Sequence, residues 1–308
     1  MFAFERILPK QMDGGGTESS WEPVSWSGRQ CTEIPKRYCA RHCPIDDVPC
    51  YALCGFAEGN DMELKFSTWQ EVDTYLEKSS GIILPIGSTE QHGPNGLIGT
   101  DALCPEALAI EIGKQTGALI APTISIGMAQ HHLGFAGSIT LRPSTLILVI
   151  QDIVNSLVQY GFESFYFLNG HGGNIATAHA AFSEIYAQAS MGKNPTDQSR
   201  VRCKLANWWE AEGVMKLSSD LFGDADGSHA TCGEVSLTQY AYPHSIKNVA
   251  MDPPIAPDGP ICDAADFRKR FPDGRMGSNP ALANPEAGEQ LFKLAVKGLA
   301  EDFQKFSA

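Results

Sequence analysis

Three acids and two histidines, Glu90, His92, Asp101, His171 and Glu234, are the residues of this sequence best suited to chemistry. Carboxylate oxygens bridge divalent cations and neutral imidazoles fix their geometry, so the set suits two zinc- or manganese-like ions. A metal pair makes hydroxide at neutral pH and polarises a carbonyl, which points to hydrolysis. Glu90 and His92 lie two apart in Gly87-Ser88-Thr89-Glu90-Gln91-His92-Gly93-Pro94. In extended backbone that spacing puts both side chains on one side. Asp101 follows at an expected helix start, where a plain N-cap competes with a bridging carboxylate as its role.

His171 lies in Asn169-Gly170-His171-Gly172-Gly173-Asn174, whose glycines let backbone come close to a ligand. No lysine follows at the spacing of a phosphate-binding loop, which sets nucleotide binding aside. His229 and Glu234 are five residues apart in Ser228-His229-Ala230-Thr231-Cys232-Gly233-Glu234. A continuous helix would turn them to different faces. Gly233 suggests that a helix begins nearby with His229 in the preceding loop, so that one binds metal while the other handles a proton. Glu234 also has the plainer role of a helix-start carboxylate favoured by the macrodipole. His42, His131, His179 and His244 are read as ordinary surface or hydrogen-bonded histidines.

The elements that must position these groups alternate. Gly81 to Gly87, Ala118 to Ile124, Ser164 to Leu168 and Val201 to Asn207 read as strands. Asp101 to Thr116, Ser144 to Tyr160, the segment after Asn174 to about Ala189, Cys232 to Tyr240 and Pro285 to Phe306 read as helices. Ser67 and Thr68 offer a further helix start, with Gln70 or Glu71 three residues on. Alternation of this kind implies an α/β fold with a mostly parallel sheet covered on both faces. Ligands bind such sheets beyond the carboxyl ends of the strands. Glu90, His92 and His171 fall in the loops leaving the first and third strands.

The chain has 308 residues, 43% of them hydrophobic, which is ordinary for a globular protein. A formal charge of −13 argues against nucleic acid or an anionic membrane as partner. No stretch is long and apolar enough to span a bilayer, and Met1 to Lys10 lacks the pattern of a secretory signal. A cytoplasmic location follows by default. Residues 1–61 read as an irregular N-terminal arm with Gly14-Gly15-Gly16 and five prolines, and the functional domain as 62–308, with Met62 as a candidate natural start. The arm holds Cys31, Cys39, Cys43, Cys50 and Cys54 among nine cysteines in all. Their spacing fits neither a zinc ribbon nor a common ferredoxin run. A metal-binding or redox interaction module there, attached to an inactive domain, is the alternative to an enzyme.

With these residues in view, the chain resembles the creatininase family of creatinine amidohydrolases and related amide hydrolases. The resemblance rests on Gly87 to Pro94, Gly99-Thr100-Asp101, Asn169 to Asn174, His229 to Glu234, and His132-Leu133-Gly134-Phe135-Ala136-Gly137-Ser138-Ile139-Thr140, similar to the family's His-x-x-Phe-Pro-Gly-Thr segment. It implies a three-layer α/β/α sandwich, a homohexamer, and two ions of zinc, manganese or iron. Glu90, Asp101 and His171 would hold one ion and His92, Asp101 and Glu234 the other, with Asp101 bridging. His229 matches the family's proton-handling histidine. His132, Trp208 and Trp209 fall where relatives contact or gate a small amide substrate. Creatininases proper carry an acid where Gly173 stands, to hold the attacking water, so Gly173 points to amides other than creatinine, formamides among them. The reaction implied is hydrolytic cleavage of a C–N bond.

Overall fold

The computed structural model describes residues 62–191 and 200–308. The expected arm over 1–61, with its cysteine cluster, lies outside the described residues.

Among the described residues four strands form one parallel sheet: β1 (Gly81–Ile86), β2 (Leu119–Ile120), β3 (Ser164–Asn169) and β4 (Arg202–Asn207), in the order β2-β1-β3-β4. β1 and β3 are buried at every position, as the apolar runs from Ile82 to Ile86 and from Phe165 to Leu168 require of strands covered on both faces. Register places Ile86 beside Asn169 and Asn169 beside Asn207, so three strands end level. β2 is shorter than Ala118 to Ile124 led us to expect. Pro122 has no N–H to donate, so the ladder stops, and Ile124 touches Ile86 only as an isolated bridge.

Among the described residues eight α-helices surround the sheet: α1 (Trp69–Leu76), α2 (Thr100–Thr116), α3 (Pro143–Val158), α4 (Ile175–Met191), α5 (Val214–Phe222), α6 (Cys232–Ala241), α7 (Ala264–Arg270) and α8 (Pro285–Ser307). Alternate strand residues face opposite layers. Ile82, Leu84, Ile86, Phe165 and Phe167 meet Leu146, Ile150 and Val154 of α3 and Ala178, Ala181 and Phe182 of α4. Ile83, Tyr166 and Leu168 meet Leu108 and Ile112 of α2 and Leu291, Ala295 and Leu299 of α8. The result is the three-layer sandwich expected. Each fully buried aromatic in these layers contributes roughly 1.5–3 kcal/mol.

α1 begins with the anticipated capping box, in which Thr68 and Glu71 satisfy each other's backbone N–H. α5 and α7 were not anticipated. α5 is a nine-residue helix bounded by Gly213 and Gly223, and α7 is a seven-residue helix capped by the Asp263 carboxylate. Both are too short to show a sustained apolar period, and only their end signals marked them.

Candidate metal centre

Four element ends converge on one point. β1 leads into Glu90 and His92, α2 carries Asp101 in its first turn, β3 leads into His171, and α6 carries Glu234 in its first turn. The α2 start is wedged between the exits of β1 and β3. A Cβ at Gly87 or at Gly170 would collide with the Asp101 carbonyl, so glycine at both positions is what lets the helix come so close. Asn174 ties the two exits by donating from Nδ2 to Gly87 O at 2.9 Å, and Asn169 Nδ2 donates to His171 O at 2.7 Å.

Asp101 is not the N-cap of α2; Gly99 occupies that position, which leaves the Asp101 carboxylate free. Its Oδ1 lies 3.0 Å from His92 Nε2 and its Oδ2 lies 3.0 Å from His171 Nδ1. The second nitrogen of each ring faces a backbone carbonyl: His92 Nδ1 is 3.1 Å from Glu90 O, and His171 Nε2 is 3.1 Å from Met128 O. Those carbonyls take the N–H, so in the neutral rings His92 Nε2 and His171 Nδ1 are bare and aimed at carboxylate oxygen. Lone pairs facing each other in this way need a proton or a cation between them. Glu90 Oε2 lies 3.3 Å from His171 Nε2, and Glu234 Oε2 lies 3.8 Å from His92 Nε2.

These atoms form two sets that could each surround an ion: Glu90, Asp101 and His171; and His92, Asp101 and Glu234, with ligand atoms within 4.8 Å of one another. Asp101 belongs to both. A third set, Glu90, His92 and His229, overlaps them. The donor chemistry fits a cation. Glu90 is completely buried, and neither of its oxygens, nor Asp101 Oδ2, has an aligned hydrogen-bond donor. Among the described residues no lysine or arginine pairs with Glu90, Asp101 or Glu234. Burying carboxylates without donors is costly, and the cost is relieved by positive charge held among them.

Protonation in the metal-free site follows the same logic. Burial pushes the Glu90 carboxyl up, and it pushes Glu234 up to about 7. Burial disfavours a charged His92, but Asp101 and then Glu234 outweigh it and raise the ring to about 10. Burial likewise opposes charge on His171, and Glu90 and Asp101 raise it to about 9. Burial also opposes the Asp101 carboxylate, yet His92 and His171 hold it well below the ordinary range. Protons thus sit where cations would.

Glu234 caps α6 with one carboxylate oxygen and turns the other toward His92. Its Oε1 accepts from Thr231 N–H in a capping box. His229 lies in the loop before α6, as Gly233 suggested, with Nδ1 3.9 Å from Glu90 Oε1. Gln91 sets its protons. The Gln91 Nε2 amide nitrogen is 2.9 Å from His132 Nδ1, from His229 Nε2 and from Gly274 O, and His229 Nε2 is itself 2.9 Å from Gln91 O. An amide has two hydrogens to give. One assignment satisfies every group: His229 Nε2–H donates to Gln91 O, and Gln91 donates to His132 Nδ1 and Gly274 O. His229 Nδ1 is then bare and faces the acids. His132 Nε2 is protonated 3.0 Å from Glu90 Oε1, so His132 touches a presumed ligand as well as the open cavity. Burial keeps both rings neutral, pulling His229 well below its ordinary value and His132 down to about 3.

A cavity of about 760 Å³ opens over Asp101, His171, His229 and Glu234, and Trp208 and Trp209 are among the residues that line it. Two of its neighbours went unnoticed in the sequence. Gln91 was read only as part of a motif, although its place between Glu90 and His92 was a signal. His131 was classed as ordinary; it is buried and lines the cavity beside His132. Three buried imidazoles, His92, His131 and His132, and the partly buried His229 form a chain of ring contacts with Phe267 at its edge. Among the described residues no helix is long and apolar enough to cross a membrane.

A family profile described as "Creatininase: Creatinine amidohydrolase" matches residues 65–303. The creatinine amidohydrolase of Pseudomonas putida is 26% identical over 250 residues, covering 76% of this chain and 93% of that protein. The mycofactocin precursor peptide peptidase of Mycolicibacterium smegmatis is 25% identical over 239 residues, covering 73% of this chain and 85% of that protein. A solved mutant creatininase of Zn-Zn type shares the fold, with a TM-score of 0.69 and 21% identity, covering 81% of this chain and 100% of that one.

Proposed function

This chain belongs to the creatininase family, and on that premise we propose that it is a dimetal hydrolase that cleaves the C–N bond of a small amide. The observation that carries the reading is Asp101. It stands between two ligand sets, so one carboxylate can bridge two cations, with Glu90 and His171 on one side and His92 and Glu234 on the other. A pair of zinc, manganese or iron ions held there supplies hydroxide near neutral pH and Lewis acidity toward a carbonyl.

The residues of the chain do the rest. His92 and His171 are oriented by the Glu90 and Met128 carbonyls, which fixes the nitrogen each presents. His229, held by Gln91, presents bare Nδ1 to the reacting centre and carries a proton from the nucleophile to the leaving nitrogen. A positioned acid–base group of this kind is worth roughly 10²–10⁴-fold in rate. Trp208 and Trp209 line the cavity, where they contact or gate the substrate. Gly173 supplies no carboxylate to hold the attacking water, which favours formamides, other lactams or short peptides over creatinine. The relatives named creatinine amidohydrolase and peptide peptidase bracket that range. The same reading takes 62–308 as the catalytic domain of a cytoplasmic homohexamer, which sedimentation and cell fractionation check.

The deciding experiment offers creatinine, other lactams, N-formyl amides and short peptides to protein reloaded with zinc or manganese. Ammonia, amine or formate release is the readout. Metal-dependent turnover of at least one class is expected. Turnover that survives chelation, or none on any class with both ions bound, contradicts the proposal.

A further inference from the structure

His131 plays no part in the centre described above, yet its position asks for a partner. The ring is only 7% exposed, lies tilted against His132 at 4.1 Å and Phe267 at 5.4 Å between centroids, and borders the cavity. Among the described residues neither of its nitrogens makes a hydrogen bond. Those nitrogens are not enclosed, so the ring keeps hydrogen-bonding capacity to offer at the cavity wall, which a phenylalanine of similar size would lack. Burial, then the neighbouring His132, lowers His131 to about 4, so near neutral pH it offers one donor and one acceptor and no charge.

The rest of the wall narrows what can arrive there. Trp209, Met215 and Ile261 make an apolar surface. Beyond the presumed metal ligands, the charged residues lining the described cavity are Asp224 and Asp226, with no lysine or arginine. Asp226 is engaged by Ser218 Oγ and by Gly233 N–H, while Asp224 is exposed. A carboxylate or phosphate on the distal part of a substrate would meet acid and no cation. A volume of about 760 Å³ exceeds what a single small ring needs and suits a ligand with a second recognition group.

We infer that His131 is a specificity-determining residue that hydrogen-bonds an uncharged polar group (a carboxamide, carbonyl or hydroxyl) carried by the substrate beyond its scissile amide, with the intervening apolar body against Trp209 and Met215. This names a substrate class for the proposed hydrolase and rests on that reading for the scissile bond, though not for binding.

The test uses two N-formylbenzylamines that differ only at the para position, carboxamide or carboxylate. Their binding to the zinc-loaded full chain is measured by calorimetry, alongside kcat and KM. Wild type binds the carboxamide about tenfold more tightly, the scale of one well-made hydrogen bond. His131→Phe keeps the ring contacts and zinc content, loses about that factor on the carboxamide alone, and raises KM with kcat within about twofold. His131→Gln, which retains a donor and an acceptor, recovers part of the loss. The inference is overturned if the carboxylate binds as well as the carboxamide, if neither binds at millimolar concentration, or if His131→Phe leaves both constants unchanged. Intact binding contrast with no turnover of any amide removes the hydrolase reading and leaves the recognition role standing.

Discussion

Alanine at Gly173 should damage the centre while alanine at its neighbour Gly172 should not. A Cβ at Gly173 would run into the His171 ring at Nε2 and stand 2.6 Å from Met128 O, whereas one at Gly172 meets nothing within 4 Å. Ordinary contact needs about 3.5 Å, so something at position 173 must give by about 1 Å. Met128 O is backbone, which leaves the imidazole to move, and with it the bond that fixes its tautomer. Overpacking of this kind costs roughly 1–3 kcal/mol. Both alanines also restrict the unfolded chain, by about 0.4–1 kcal/mol in the stabilising direction. The difference between the two variants isolates the strain, so Gly173→Ala should be about 1–3 kcal/mol less stable than Gly172→Ala in urea. Displacing a group at the reacting centre by about 1 Å should lower kcat/KM roughly 10²-fold, with zinc content reduced. Gly172→Ala should be about 0.4–1 kcal/mol more stable than wild type, with unchanged zinc content. Two variants indistinguishable in stability and metal would refute the reasoning. The same collision means that Gly173→Glu will not install a working carboxylate in this backbone.

Three further outcomes follow from the site. His229→Ala should lower turnover by roughly 10²–10⁴-fold with both metals retained; loss of metal instead would make His229 a ligand, as the third set of atoms allows. Metal binding should release protons, because in the free site His92 is raised to about 10 and His171 to about 9 and both must be neutral to ligate. Affinity should therefore climb with pH and level off above those values, with about two protons released per chain near pH 8 by calorimetry in buffers of different ionisation enthalpy; pH-independent affinity would contradict the assignment. Starting the chain at Met62 should leave bound metal per chain unchanged, and a drop measured by plasma emission would place an ion in the cysteine-bearing arm.

Much of this was legible in the sequence, for identifiable reasons. β1 and β3 announce themselves because strands buried on both faces must be apolar throughout. The glycines after them mark close backbone approach, and the ligand-type residues between them have no competing structural duty except at Asp101 and Glu234. At those two the structure resolves the competition differently. Asp101 gives up the cap to Gly99, while Glu234 caps with one oxygen and faces His92 with the other. What stayed hidden depends on contacts distant in sequence. His131 has nothing in its neighbourhood to separate it from a surface histidine until Phe267 of α7 closes over it. Gln91 acquires its role only when Gly274 and His229 arrive from segments more than 130 residues away.

Anomalous scattering from crystals grown with zinc or manganese tests the centre most directly. Two peaks per chain are expected, both within coordinating distance of the Asp101 carboxylate, one also touched by Glu90 and His171 and the other by His92 and Glu234. A single peak, or peaks that do not share Asp101, would contradict the dimetal account.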